Sequence, residues 1–298
     1  MTVAGFCGLS TPGLTLAGGY GAHEPWETNA GPQDFLDIAR AADRLGFDHL
    51  TCSEHVGIPP EVEAVRGGRY YDPLSTFGFM AAVTERVRFL TYVLVLGYSH
   101  PLEIAKRYGT LDRLSGGRLV LGMGVGSLKP EFDLLGMGGE EFANRGARAD
   151  DALKALRASF AKRMPEYHGP YYDFANFIID PCGVQEHVPI WIGGRSARSL
   201  RRAVELGDGW APFGLGEAEL GAMIAKAREH DSWHQRDKPL ECALAHEGRL
   251  DPLGQPDLTV DRLAGLLELG ATKVVVNVNH SSPSHYLEQL EALASLRL

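Results

Sequence analysis

The chain of 298 residues carries only four cysteines, Cys7, Cys52, Cys182 and Cys242, scattered with no Cys-x-x-Cys pair. Such spacing excludes a disulfide framework and a thiolate metal site, and it fits small buried residues of a cytoplasmic protein. Basic runs are missing as well: 29 Lys and Arg stand against 38 Asp and Glu, and the net charge of −9 is dispersed. A balance of that sign gives no footing for nucleic acid or for an anionic membrane surface. No segment approaches the ~20 apolar residues of a membrane helix. Met1 to Leu9 has neither the basic flank nor the long apolar core of a secretory signal, so a cytoplasmic location is expected. Two chemistries lack their motifs. No Gly-x-Ser-x-Gly elbow supplies an acyl-enzyme nucleophile. No His-x-His follows the first apolar strand, so no metal site is expected.

What the chain does have is alternation. With 44% hydrophobic residues it can bury a large core. Short apolar runs predict strands at Val3–Leu9, Asp48–Ser53, Val87–Leu96, Arg118–Leu121, Pro189–Ile192, Gly209–Pro212, Glu241–Ala245 and Lys273–Val278. Helical patterns separate them. From Pro32, for example, Phe35, Ile38, Ala39, Ala42 and Leu45 share one face until Gly46. Eight strands alternating with helices is the count of a (β/α)8 TIM barrel. A doubly wound open sheet, the rival, normally has fewer strands and its glycine-rich turn at the first of them. Between strands four and five the alternation breaks. Residues 128–188 read as an insertion on the rim, with a helix from about Glu141 to Met164 and a hairpin near Gly169 to Tyr172. One barrel domain over 1–298 is the expectation.

The carboxyl ends of barrel strands face the active site, so residues there carry most weight. Gly122, Gly124 and Gly126 expose backbone at the end of strand four, where a phosphate-bearing cofactor can approach closely; a plain strand-to-loop turn fits that spacing equally well. Gly193-Gly194-Arg195-Ser196 forms a second such corner, with Ser196 a natural N-cap and Arg195, Arg198 or Arg202 adding positive charge. Glu54-His55 follows strand two: an imidazole there suits general acid or base work, and a neighbouring carboxylate suits its orientation. His100 either lines the pocket or packs ahead of Pro101. Tyr20, Trp26, Tyr70 and Tyr71 lie in loops over the same face and suit a lid for an apolar substrate, while Trp210 reads as core.

Together, Ala41 to Asp48, Ser53-Glu54-His55, Tyr71-Asp72-Pro73-Leu74, the run from His100-Pro101 to Gly126, Gly193 to Ser196 and Asp208-Gly209-Trp210 resemble the bacterial luciferase-like flavin and deazaflavin oxidoreductases. The Leu-Asp-Arg-Leu-Ser-Gly-Gly-Arg block from Leu111 to Arg118, followed by Gly-x-Gly-x-Gly, is the most specific part. The resemblance implies a barrel that binds reduced FMN or the deazaflavin coenzyme F420, and it is greatest to the deazaflavin-dependent branch. It further implies that Glu54 and His55 approach the ring, and that a strand-three bulge with a cis peptide near Thr91-Tyr92 supports the ring's other face. Val125, Gly126 and Gly193 to Ser196 would hold the ribityl phosphate. Sugar-phosphate dehydrogenases of that branch carry a catalytic Glu where this chain has Ser127, which argues against a sugar phosphate.

The expectation is therefore a hydride transfer between coenzyme F420 and a small, neutral or apolar substrate. His55 would be acid or base, Glu54 its orienting partner, and Tyr20, Trp26, Tyr71 and Ser127 the substrate's surroundings. The alternative is an FMN-dependent monooxygenase that uses O₂ and a partner reductase. A cofactor-binding carrier without turnover is a third possibility. A homodimer is implied by the resemblance alone.

Overall fold

Parallel strands covered on both faces need nearly continuous apolar runs, and the eight runs of this chain form such strands. The computed structural model describes residues 2–16 and 23–298. Its strands are β1 (Cys7–Ser10), β2 (His49–Cys52), β3 (Arg88–Thr91), β4 (Leu119–Gly124), β5 (Ile190–Gly193), β6 (Gly209–Ala211), β7 (Glu241–Leu250) and β8 (Lys273–Val278). Each pairs in parallel with the next, and β8 pairs with β1. The sheet is closed, as expected for the (β/α)8 barrel. One helix follows each strand in turn: α1 (Pro32–Leu45), α2 (Pro73–Ala81), α3 (Pro101–Leu114), α4 (Arg145–Ser159), α5 (Ala197–Leu206), α6 (Glu217–Arg228), α7 (Pro256–Glu268) and α8 (Pro283–Ser295). None of the described helices is long and apolar enough to cross a membrane.

Two layers of core result. Leu90, Val120, Trp191, Ala211 and Ala243, one from each of five adjacent strands, cluster apart from the rest and fill the barrel. Their sequence neighbours, such as Phe89, Leu119, Leu121 and Cys242, point the other way into the larger core beneath the helices. Phe35, Ile38, Ala39 and Ala42 seat α1 there, and Gly46 ends the helix at φ 81°, a left-handed cap that a Cβ would disfavour.

The differences from the sequence expectation are local. Ala4–Phe6 forms a 3-10 turn, so the first strand starts only at Cys7. Strand three stops at Thr91 and resumes as a two-residue piece, Leu94–Val95, beside β4; the bond Tyr92–Val93 between them is cis. β4 runs on to Gly124, so two of its three glycines lie in the strand and not beyond it. β7 continues to Leu250, with a register irregularity between Ala245 and Arg249. In the 128–188 segment the hairpin is present, Tyr167–His168 against Asp173–Phe174. The predicted long helix is α4, preceded by a short turn at Glu140–Ala143, and a helix at Lys129–Leu134 was not foreseen.

Gly122 shows how tightly β3 and β4 are matched: a Cβ there would sit 1.9 Å from the Thr91 carbonyl oxygen, which is backbone and cannot swing away. Gly122→Ala is expected to cost about 2–3 kcal/mol, as overpacking does in a closed core. Gly78→Ala on α2, where nothing lies within 4 Å, is expected to be neutral or to gain up to ~1 kcal/mol. Urea midpoints of the two variants measure the contrast, and equal midpoints would remove the packing argument.

Candidate active site

Three strand ends build the centre of the barrel mouth. The end of β2 delivers Ser53, Glu54 and His55, and this stretch lies along the interrupted part of strand three. Tyr92 N–H donates to the Cys52 carbonyl at 2.7 Å, Ser53 Oγ to the Tyr92 carbonyl at 2.8 Å, and Glu54 N–H to the Val93 carbonyl at 3.4 Å. Glu54 Oε2 in turn accepts from Val95 N–H at 2.6 Å. Thr91 Oγ1 donates to the Gly122 carbonyl at 2.8 Å, and Tyr92 reaches over to donate from its hydroxyl to the Pro212 carbonyl, also at 2.8 Å.

The two glycine corners stand side by side, because β4 and β5 are hydrogen-bonded parallel neighbours with Met123 opposite Ile192. Both are cut to the shape of Val93. A Cβ at Gly124 would lie 2.7 Å from Val93 Cγ2, and one at Gly193 would lie 2.5 Å from Val93 Cγ1. Gly126, at φ 75°, is pressed by Phe132 and Val95, and its carbonyl accepts from Arg145 Nε at 3.1 Å. Val125 beside it is half-buried.

His55 is half-buried, and its Nδ1 lies 2.7 Å from Glu131 Oε2. The expected partner was Glu54; the structure gives that bond to Glu131 instead. Glu131 is only 1% exposed, and its remaining capacity is filled. Tyr98 donates its hydroxyl to Oε2 at 2.7 Å, while the amides of Val56 and Gly57 reach Oε1 at 2.8 and 3.3 Å. Burial pushes this carboxyl up, but the bonds from His55, Tyr98 and Gly57 outweigh it and hold the group below the usual range. The Tyr70 ring packs edge-on against the imidazole, with centroids 4.4 Å apart. Sequence reasoning missed Glu131. Its one local signal is Pro130-Glu131 opening a helix directly after the glycine loop.

At the second corner, Ser196 caps α5 by accepting from Ser199 N–H at 3.2 Å, and the first-turn amides of Ala197 and Arg198 have no acceptor inside the helix. Gly194 sits at φ 112°. Arg195 and Arg198 are exposed, and no carboxylate among the described residues pairs with either. Arg202 is not available, since it is buried against Asp150 and the Gly146 carbonyl. Free amides, a cap and unpaired guanidiniums are the donor set a phosphate ester needs, so the residues present fit the ribityl phosphate of a flavin or deazaflavin.

The expected substrate residues scatter. Tyr20 lies outside the described residues. Trp26 donates its indole N–H to His280 Nδ1 at 3.1 Å. Tyr71 packs on Phe35 of α1, ring to ring at 5.2 Å. Ser127 accepts from Arg66 at 3.4 Å. His100 Nδ1 accepts from Leu102 N–H and caps α3, and the residue also lines a cavity with Tyr98, Phe132 and Tyr172. Trp210 is fully buried, as expected. The His230/His234 pair has helical ligand spacing, but His234 Nε2 is bonded to the Arg228 carbonyl at 2.7 Å.

Comparison with known proteins follows the same lines. A family model described as luciferase-like monooxygenase matches residues 11–246. An uncharacterized Mycobacterium tuberculosis protein is 29% identical over 254 residues, 81% of this chain and 84% of that protein. The F420-dependent glucose-6-phosphate dehydrogenase of Microbacterium testaceum is 32% identical over 191 residues, 64% of this chain and 55% of that enzyme. The FMN-bound oxygenating constituent of 3,6-diketocamphane monooxygenase from Pseudomonas putida shares the fold with a TM-score of 0.75 at 16% identity, covering 98% of this chain and 97% of its own.

Because Glu131 titrates below its ordinary 4.5, its bonds add stability above that pH and lose it as pH falls through the lowered value. Glu131→Gln is expected to cost about 1–3 kcal/mol at pH 7. The gap from wild type in thermal unfolding should narrow as the solution is acidified below pH ~4. A gap that stays constant with pH would show that the carboxylate charge is not what holds the network.

Proposed function

The chain belongs to the luciferase-like monooxygenase family, and we propose that it transfers a hydride between the deazaflavin coenzyme F420 and a small neutral or apolar substrate. The observation that carries this reading is the imidazole of His55. Its Nδ1 is fixed by a buried carboxylate, and its Nε2 has no partner among the described residues. Such a group can hold or release one proton at a defined atom.

When bound, the deazaflavin supplies the carbon that gives or accepts the hydride. Gly193 to Ser196, with Arg195, would hold its phosphate, and Val125 and Gly126 would flank the ribityl chain. Thr91, Tyr92 and Val93 would back the ring. His55 would take the proton from a substrate hydroxyl, or return it to a carbonyl, at Nε2. Glu131 would keep the imidazole in one orientation. The choice of deazaflavin rests on the relative from Microbacterium testaceum together with the Ser53-Glu54-His55 and Gly193 to Ser196 motifs. The choice of an apolar substrate rests on the side chains beside the imidazole. Val56, next in the chain to His55, is 54% exposed, Leu134, which faces Gly57 of the same loop, is 69% exposed, and Ser127 is uncharged.

Anaerobic titration with coenzyme F420 and with FMN, followed by single turnovers on ketones, alcohols and enones, tests the proposal. Tight F420 binding with hydride transfer to at least one compound is expected. Exclusive FMN binding with substrate-dependent O₂ uptake would replace the proposal with the monooxygenase alternative. His55→Ala is expected to bind the cofactor and to turn over about 10²–10⁴-fold more slowly; an unaltered rate takes His55 out of the mechanism.

A further inference from the structure

We infer that Glu54 is a positioning residue for the cofactor's seat: its carboxylate and the Ser53 hydroxyl splint Tyr92 to Val95 so that Val93 stays wedged between Gly124 and Gly193. This rests on the proposed function, because the wedge would back the bound ring.

The geometry leaves little else for Glu54 to do. Strand three leaves its ladder after Thr91 and regains β4 at Leu94, paired with Met123. Over that gap the backbone groups need partners from elsewhere, since buried and unpaired they are costly. Cys52, Ser53 and Glu54 provide them in order. The Cys52 carbonyl takes Tyr92 N–H, Ser53 Oγ reaches the Tyr92 carbonyl, Glu54 N–H reaches the Val93 carbonyl, and the Glu54 carboxylate takes Val95 N–H. Three of these use backbone or a hydroxyl, and only the last uses a long side chain. Without it, Val95 N–H loses its acceptor and the far end of the segment is held by its pairing with β4 alone. The near end is fixed independently by Thr91 on Gly122 and by Tyr92 on Pro212. Val93 lies between the two anchors, and both glycines opposite it leave room for nothing larger than hydrogen.

The surroundings of Glu54 supply a readout that a merely structural role would not move. Facing it are Cys52 on β2, Asp72 before α2, Arg107 and Tyr108 on α3, and Glu131 on the helix Lys129–Leu134. Burial raises the carboxyl, the Val95 amide and Arg107 oppose that, Asp72 and Glu131 add to it, and the group titrates at about 7. A charged acceptor holds an N–H more strongly than a neutral one. The splint is therefore firmest above pH 7 and slackens as the carboxyl protonates below it.

Cofactor dissociation constants of wild type, Glu54→Gln and Glu54→Ala at pH 6 and pH 8 test this. For Glu54→Gln, which keeps an oxygen acceptor, binding at pH 8 within about threefold of wild type is expected, with a smaller change between the two pH values than wild type shows. Glu54→Ala is expected to weaken binding about tenfold or more, a larger loss than its loss in kcat at saturating cofactor. Should Glu54→Ala fail to fold, the pH comparison of wild type with Glu54→Gln still decides. Equal affinities across all three proteins, or a Glu54→Gln variant that binds normally and loses turnover, would overturn the inference. Wild type that binds FMN in place of F420 overturns the assigned cofactor while the variant comparison, run with FMN, still judges the splint. Binding of neither cofactor overturns both.

Discussion

A carboxylate taken out of water costs several kcal/mol unless its lone pairs are filled, and Glu131 is filled on every side. The imidazole and Tyr98 share Oε2, while two backbone amides share Oε1. The amides belong to the residues directly after His55. The same carboxylate therefore fixes both the ring and the chain that carries it, which is how a histidine on a loop acquires the precision of one on a strand. The arrangement also ties the 128–188 segment to β2. The Lys129–Leu134 helix supplies the carboxylate, Phe132 on that helix packs on Tyr98 and presses on Gly126, and so the His55 loop and the Gly126 corner share one support.

The barrel itself was legible because its signal is repeated and local. Eight buried runs, proline-opened helices and the Gly46 cap each report on a few neighbouring residues, and closure follows from the count and the parallel order. What failed was where strands end. Val87 to Leu96 reads as one strand because every residue in it favours a pleated, buried site. The break after Thr91 is imposed by β2 and β4, whose bonds to this segment cannot be seen from the segment. The strand-four glycines were read either as bare backbone for a ligand or as a plain strand-to-loop turn. In fact Gly122 makes way for a carbonyl, and Gly124 for Val93, so packing accounts for both.

The site was legible in its placement and misread in its pairing. His55 and the two corners were singled out because barrels put chemistry at strand ends. Glu54 was paired with His55 because the two are adjacent in sequence, yet along extended chain adjacent side chains point to opposite sides. That alternation sends Glu54 towards β3 and α3 and sends His55 towards the mouth and Tyr70. The true partner lies 76 residues away, on a helix that one turn of sequence, Pro130-Glu131, barely announces. The aromatic loop residues have contacts of their own. Trp26 and Tyr71 do lie on the right face, but each spends its polar or flat surface on its own loop's support, His280 and Phe35.

Charge offers the remaining lesson. A net charge of −9 works against a long polyanion as partner, and by the same logic it would disfavour any phosphate, were the acids evenly felt. They are not. At the start of α5 the helix dipole, its free amides and two guanidiniums with no carboxylate partner among the described residues act at short range, whereas exposed charges farther away than a Debye length are largely screened. Arg202, one turn on, shows the contrast: it is matched to Asp150 and adds nothing outward. Local pairing, and not the sum over the chain, therefore determines whether a corner can take an anion, and the α5 corner is left unpaired where β4 and β5 bring their glycines together.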